Sequence, residues 1–167
     1  MKEEENNNNQ VYYHSPTYGK VDLYRLKEIV THYMSLDKGG LYQIIVGTDS
    51  QKIKGNGYDF ITAFIVHHVG FGGIYFWRRE QVIKTISLKE RIYQEAIMSL
   101  VTSENFVAFF KSNGITKYNI QIHVDIGKKG DTRELIQEVT GMIRGNGYEV
   151  KIKPDAFGAS KVADRHT

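Results

Sequence analysis

The chain contains no cysteine among its 167 residues, so it has neither a disulfide framework nor a thiolate zinc site. It has no run of about 18 apolar residues, the length a membrane-crossing helix needs. The stretch from Met1 to Gln10 is acidic and Asn-rich, and it lacks the apolar centre of a secretory signal. Strong charge of one sign is missing too. A formal net charge of +3 permits a polyanionic partner without demanding one. What is present, 41% hydrophobic and 25% charged residues, is the mix of an ordinary globular domain of cytoplasmic type. The length suits one domain with a real core.

Residues 1–18 read as a flexible arm. Residues 19–38 hold a packing helix, from about Val21 to Leu36, with Leu23, Leu26, Ile29, Val30 and Tyr33 at helical spacing. The main domain spans 39–167. Its first strand is Leu41 to Asp49. A turn at Gly55-Asn56-Gly57 leads to a long strand from Tyr58 to Val69, and Gly70 to Gly73 turn the chain into a third, Ile74 to Ile83. Turns this short predict an antiparallel meander. Ser87 with Glu90 is a capping box for a helix running to about Ser112, with a break expected near Thr102 to Asn105. Strand four is Tyr118 to Ile126. Asp131 with Glu134 suggests another cap, for a helix carrying Leu135, Ile136, Val139, Met142 and Ile143. Strand five is Tyr148 to Ile152, and Pro154-Asp155 opens a short last helix. The order β-β-β-α-β-α-β-α predicts an α/β domain with a mixed five-stranded sheet and right-handed parallel crossovers.

Two strands end in aspartate: "YQIIVGTDSQ" at Asp49 and "YNIQIHVDIG" at Asp125. Ligands of open α/β sheets bind at that edge. If strands one and four are parallel neighbours, the carboxylates lie about 5 Å apart. Such a pair repels itself unless a cation lies between, and Mg²⁺ suits a carboxylate-poor, phosphate-facing site. Gly47 and Gly127 would leave room beside it. An Asp after a strand also starts Asx-turns, so either residue alone says little. The pair, in this strand order, favours metal.

Three strands with an Asp on the first, a helix Glu, a fourth strand with an Asp and a last helix with an Asp resemble the ribonuclease H-like superfamily. More closely, "VGTDSQ", "HVDIG", "TRELIQEV" and "KIKPDAFGASKVADRHT" resemble the bacterial ribonuclease H-like YkuK family. The resemblance covers roughly residues 40–167. It implies an acidic cluster holding two divalent ions, Mg²⁺ or Mn²⁺, and hydrolysis of phosphodiesters in nucleic acid. Carried over, Asp49 would bridge both ions and Asp125 would bind the ion that activates water. The helix glutamate would be Glu95, at the margin of the buried stripe, or else Glu90, which already serves the capping box. The fourth carboxylate would be Asp164, with Asp155 the alternative, although an Asp after Pro154 is more simply an N-cap. A non-catalytic module that binds nucleic acid or protein is the competing reading of the same fold.

Around these, Thr48 and Ser50 could hydrogen-bond a phosphate, and Lys153 could reach one from the end of strand five. Lys128 and Lys129 in "GKKGDTRE" could meet a phosphate backbone near a helix N-terminus, though the P-loop spacing is absent. His67, His68 and His123 read as structural, His166 as a proton carrier without a fixed place, and Tyr75, Phe76 and Trp77 as core. The long second strand and the N-terminal helix offer surfaces for a homodimer.

Overall fold

The computed structural model describes residues 10–166. A short hairpin of β1 (Tyr12–Ser15) and β2 (Gly19–Asp22) leads into α1 (Leu23–Ser35). Three long strands follow: β3 (Tyr42–Lys52), β4 (Tyr58–His68) and β5 (Gly72–Val82). Then come α2 (Leu88–Ser112), β6 (Asn119–His123), α3 (Ile136–Gly145), β7 (Glu149–Lys151) and α4 (Gly158–His166). All strands join one mixed sheet in the order β2-β1-β5-β4-β3-β6-β7. The meander is antiparallel, and β6 and β7 add parallel to β3, as the crossover helices require.

The sheet has seven strands where five were expected. The added two lie partly in the segment expected to be a flexible arm; residues 1–9 of that arm fall outside the described residues. Gly19, at φ +70°, turns the hairpin, which pairs Tyr13 with Val21 and buries both side chains. A single register pair, His14 with Trp77, joins it to β5. The helix therefore starts later than expected, capped by Asp22, whose carboxylate accepts a 2.7 Å hydrogen bond from the Arg25 N–H.

Strand alternation divides the core. Tyr42, Ile44, Val46, Phe64, Val66 and Phe76 meet α1 and the last turns of α2. Ile122, Val124 and Val150 pack against α2 and α3. Among the described residues the opposite face is covered by α4, with Val162 on Ala63 beside Ile65, Tyr75 and Trp77. Because β3 is covered on both faces, its sequence runs apolar from Ile44 to Val46 without alternating. The α2 capping box forms as expected, but the helix runs unbroken through Thr102 to Asn105. Asp131 and Glu134 do not cap α3: residues Arg133–Leu135 make a 3₁₀ turn first, and α3 has no side-chain cap. Asp155 does not cap α4 either. It lies in its own turn, closed by the Asp155 and Ala156 N–H groups on the Ile152 carbonyl, and the helix begins at Gly158.

Candidate functional site

The site is built by the register of two strands. β3 and β6 pair in parallel through Gly47 and His123, so two residues further Asp49 stands beside Asp125. Both line one small cavity with Thr48, His123, Ala156 and Ser160, about the size of a single water. Burial holds the Asp49 carboxyl above the usual carboxylate range, and the charges of Asp125 and Asp164 add to this. The Ser50 N–H, 2.9 Å from Asp49 Oδ1, and Arg91 oppose it.

Glu95 arrives from α2. It is 3% exposed, and Ser50 Oγ donates a hydrogen bond to its Oε1. Burial pushes its carboxyl up to about 8, helped by Asp49 and Asp125 and resisted by the Ser50 hydroxyl and Arg91. Glu90, the alternative, is exposed and closes the capping box with Ser87. Asp164 arrives from α4, on the other face. It is exposed, yet close enough for its charge to act on Asp49 and on Lys153. Asp155 lies exposed in the Pro154 turn and takes no part.

Two cations oppose this negative charge. Lys153 Nζ lies 2.9 Å from Asp125 Oδ1, a buried oxygen that accepts no well-aligned hydrogen bond. That pairing, with the charges of Asp49 and Asp164, raises the Lys153 pKa. The two residues meet because hydrogen bonding between the chains continues past both strand ends, from Val124 N–H to the Lys151 carbonyl and from Lys153 N–H to the Ile126 carbonyl. Arg91, four residues before Glu95 on α2, lies over the Tyr58 ring at 5.4 Å. Its role was not read from the sequence, though the i, i+4 spacing to Glu95 carried the signal.

Several expected contacts are reassigned. Thr48 does not offer its hydroxyl to a ligand. It is buried and bonds Thr62 Oγ1 and Ser99 Oγ, both at 3.0 Å. Ser50 spends its hydroxyl on Glu95. Lys128 and Lys129 are exposed on the loop after Asp125. Gly127 is not needed for space, since a Cβ there would lie an ordinary 3.5 Å from Lys153 Cβ. His123 is structural: Nδ1 accepts from the Gly158 N–H at 3.3 Å, Nε2 faces Gln121 Oε1, and burial lowers its pKa to about 4. His166 has a fixed place after all, on Tyr75 and Trp77 of β5.

Asp49, Asp125, Glu95 and Asp164 are the residues that could hold a cation. The donor set is all oxygen and charge-rich, which fits a hard divalent ion, and Asp125, whose buried Oδ1 is poorly satisfied, lines the cavity with Asp49. Among the described residues, however, no group of three or more Asp, Glu or His side chains is arranged to hold a metal ion as they stand. Nor is any described helix long and apolar enough to cross a membrane.

The family described as Ribonuclease H-like matches residues 25–167. The uncharacterized protein YkuK of Bacillus subtilis (strain 168) is 35% identical over 147 residues, spanning 81% of this chain and 84% of that protein. No solved structure matches. By the matched length and by this identity, the chain belongs to the ribonuclease H-like family that includes YkuK.

Proposed function

We propose that the protein is a metal-dependent nuclease that hydrolyses phosphodiester bonds in nucleic acid. The observation that carries this reading is the pairing of Asp49, within β3, and Asp125, just past the end of the adjacent parallel β6, on one small cavity. Carboxylates set this close repel one another unless a cation lies between them, and a module that only binds a polyanion gains nothing from concentrating negative charge against it. Two bound divalent ions, Mg²⁺ or Mn²⁺, would supply an activated water and stabilise the leaving oxygen. The chain's own residues would do the rest. Asp49 and Asp125 offer oxygens from positions fixed by strand register. Glu95 adds a third carboxylate from one face of the sheet and Asp164 a fourth from the other. Ser50 orients Glu95, and Arg91 and Lys153 offset the accumulated charge. Lys128 and Lys129, exposed beside the site, suit the phosphate backbone of the substrate. The cysteine-free composition suits a reducing, cytoplasmic setting.

The competing reading is a non-catalytic module of the same fold, favoured by the lack of a three-carboxylate cluster among the described residues. Calorimetric titration of Mn²⁺ and Mg²⁺ into the wild type and into the Asp49→Asn, Asp125→Asn double variant separates the two. The nuclease reading expects binding in the wild type, weakened at least about 100-fold in the double variant. It also expects metal-dependent cleavage of one member of a panel of labelled RNA, DNA, hybrid and junction substrates. Wild-type protein that binds neither ion at millimolar concentration sinks this reading.

A further inference from the structure

We propose that Lys153 is a resident counter-ion of the acidic site, which a divalent cation must displace from Asp125 before it can bind. This rests on the metal reading above. The ammonium lies 2.9 Å from the buried Asp125 Oδ1, and Asp125 lines the cavity shared with Asp49. It therefore pairs with a carboxylate that a metal bound between Asp49 and Asp125 would need. The arrangement is built and not incidental. The Lys153 backbone is fixed by its N–H on the Ile126 carbonyl at 2.9 Å. Its aliphatic stem lies along Gly127, where an added Cβ would be 3.5 and 3.6 Å from Lys153 Cβ and Cδ. That stem aims the ammonium at Asp125.

The same residue is free to leave. The Lys153 side chain is 56% exposed, so its head can swing into water while the stem stays on Gly127. The other cation of the site cannot do this. Arg91 is held over the Tyr58 ring, and its Nε is buried. Asp49 and Asp164 also act on Lys153, so the ammonium answers to three carboxylates at once. A divalent ion brings twice the charge to the same carboxylates and wins the exchange, at a lower affinity than an open site would give. Lys153 stays charged throughout, and the exchange depends on no protonation change.

The test is calorimetric titration of Mn²⁺ into the full chain as wild type, Lys153→Met and Lys153→Arg, with thermal unfolding midpoints recorded with and without Mn²⁺. Removing an exposed ion-pair partner predicts Mn²⁺ binding about three- to tenfold tighter in Lys153→Met. The same variant should unfold at lower temperature without Mn²⁺ and recover with it, since the carboxylates lose their counter-ion. Lys153→Arg keeps the charge and should bind Mn²⁺ no more tightly than the wild type. Unchanged or weaker binding in Lys153→Met overturns the proposal while leaving the metal reading in place, and so does tighter binding in Lys153→Arg. Absence of Mn²⁺ binding in all three overturns both.

Discussion

Two helices bring a carboxylate toward Asp49 and Asp125 from opposite faces of the sheet, and they hold it by opposite means. α2 is anchored in the core. Ser99 of α2 bonds Thr48, Thr48 bonds Thr62, and Glu95, one turn earlier on the helix, is buried and bonded to Ser50. α4 is anchored at the rim. Its opening Gly158 packs so closely that a Cβ there would lie 3.2 Å from both Ile45 and Ile65, and its far end is fastened by His166 on β5. Asp164, two residues before that fastening, is exposed. The buried carboxylate carries a large desolvation cost and the exposed one does not. Perturbing each anchor in turn should therefore give effects of different kind as well as size.

The largest effect belongs to Glu95 and is read through pH. The ordinary value of 4.5 rises to about 8 in the folded protein. Between these values the folded state keeps a proton that the unfolded state releases, so the Glu95 contribution to stability falls as pH rises from about 4.5 to 8. His123 works the other way. Its value drops from 6.5 to about 4, and its contribution rises with pH across that window. The difference between wild type and Glu95→Gln cancels the histidine. That difference should favour Glu95→Gln progressively, by about 3 kcal/mol between pH 5 and pH 8. Urea unfolding of both proteins without added metal across this range is the check. Parallel pH profiles would mean that Glu95 is better solvated than its burial implies.

A smaller effect tests the anchor itself. Thr48→Val keeps the shape and removes the hydroxyl shared by Thr62 and Ser99; the buried Thr62 hydroxyl loses this partner, while Ser99 keeps its bond to the Glu95 carbonyl. The expected loss is about 1–2 kcal/mol of unfolding free energy, read by urea unfolding. Emission of Trp77, the one tryptophan of the chain, lies under α4 and should not change. A shift in that emission would show that the two anchors are coupled through β3 and β4, and the contrast between the helices would weaken.

What the sequence made legible follows the range of the interactions. Asp49 and Asp125 were legible because strand alternation and crossover order are local patterns, and parallel register then sets the two side by side. Glu95 was legible from its place on the helix wheel. The hairpin of β1 and β2 was missed because four-residue strands in a polar tract give almost no periodicity. Thr48 was misjudged because the strand runs on to Lys52, past the expected end at Asp49, and nothing local says which hydroxyl turns inward. Asp155 was misread because Pro154 opens a turn of its own before the helix begins. The pairing of Lys153 with Asp125, and of His166 with Tyr75 across 91 residues, depends on the assembled fold.

The smallest expected effect is at the rim, and it discriminates best. His166 Nε2 lies 3.0 Å from the Tyr75 hydroxyl, and its ring stacks on Trp77 with centroids 4.5 Å apart. His14 of β1 stacks on the same indole at 4.8 Å. Arg79 donates to the backbone carbonyl of His166, so that contact survives truncation of the side chain. His166→Ala should therefore cost about 1 kcal/mol, one hydrogen bond and one stacking contact on a partly exposed surface. Its signature is optical: loss of a stacked imidazole must alter Trp77 emission, while the pH profile governed by Glu95 stays as in the wild type. The same variant should weaken Mn²⁺ binding only if Asp164 depends on this fastening, whereas Thr48→Val, at equal or greater loss of stability, should not. Unaltered Trp77 emission in His166→Ala would mean that the imidazole does not fasten α4, which is then held by Gly158, Val162 and the Arg79 bond to the residue 166 carbonyl.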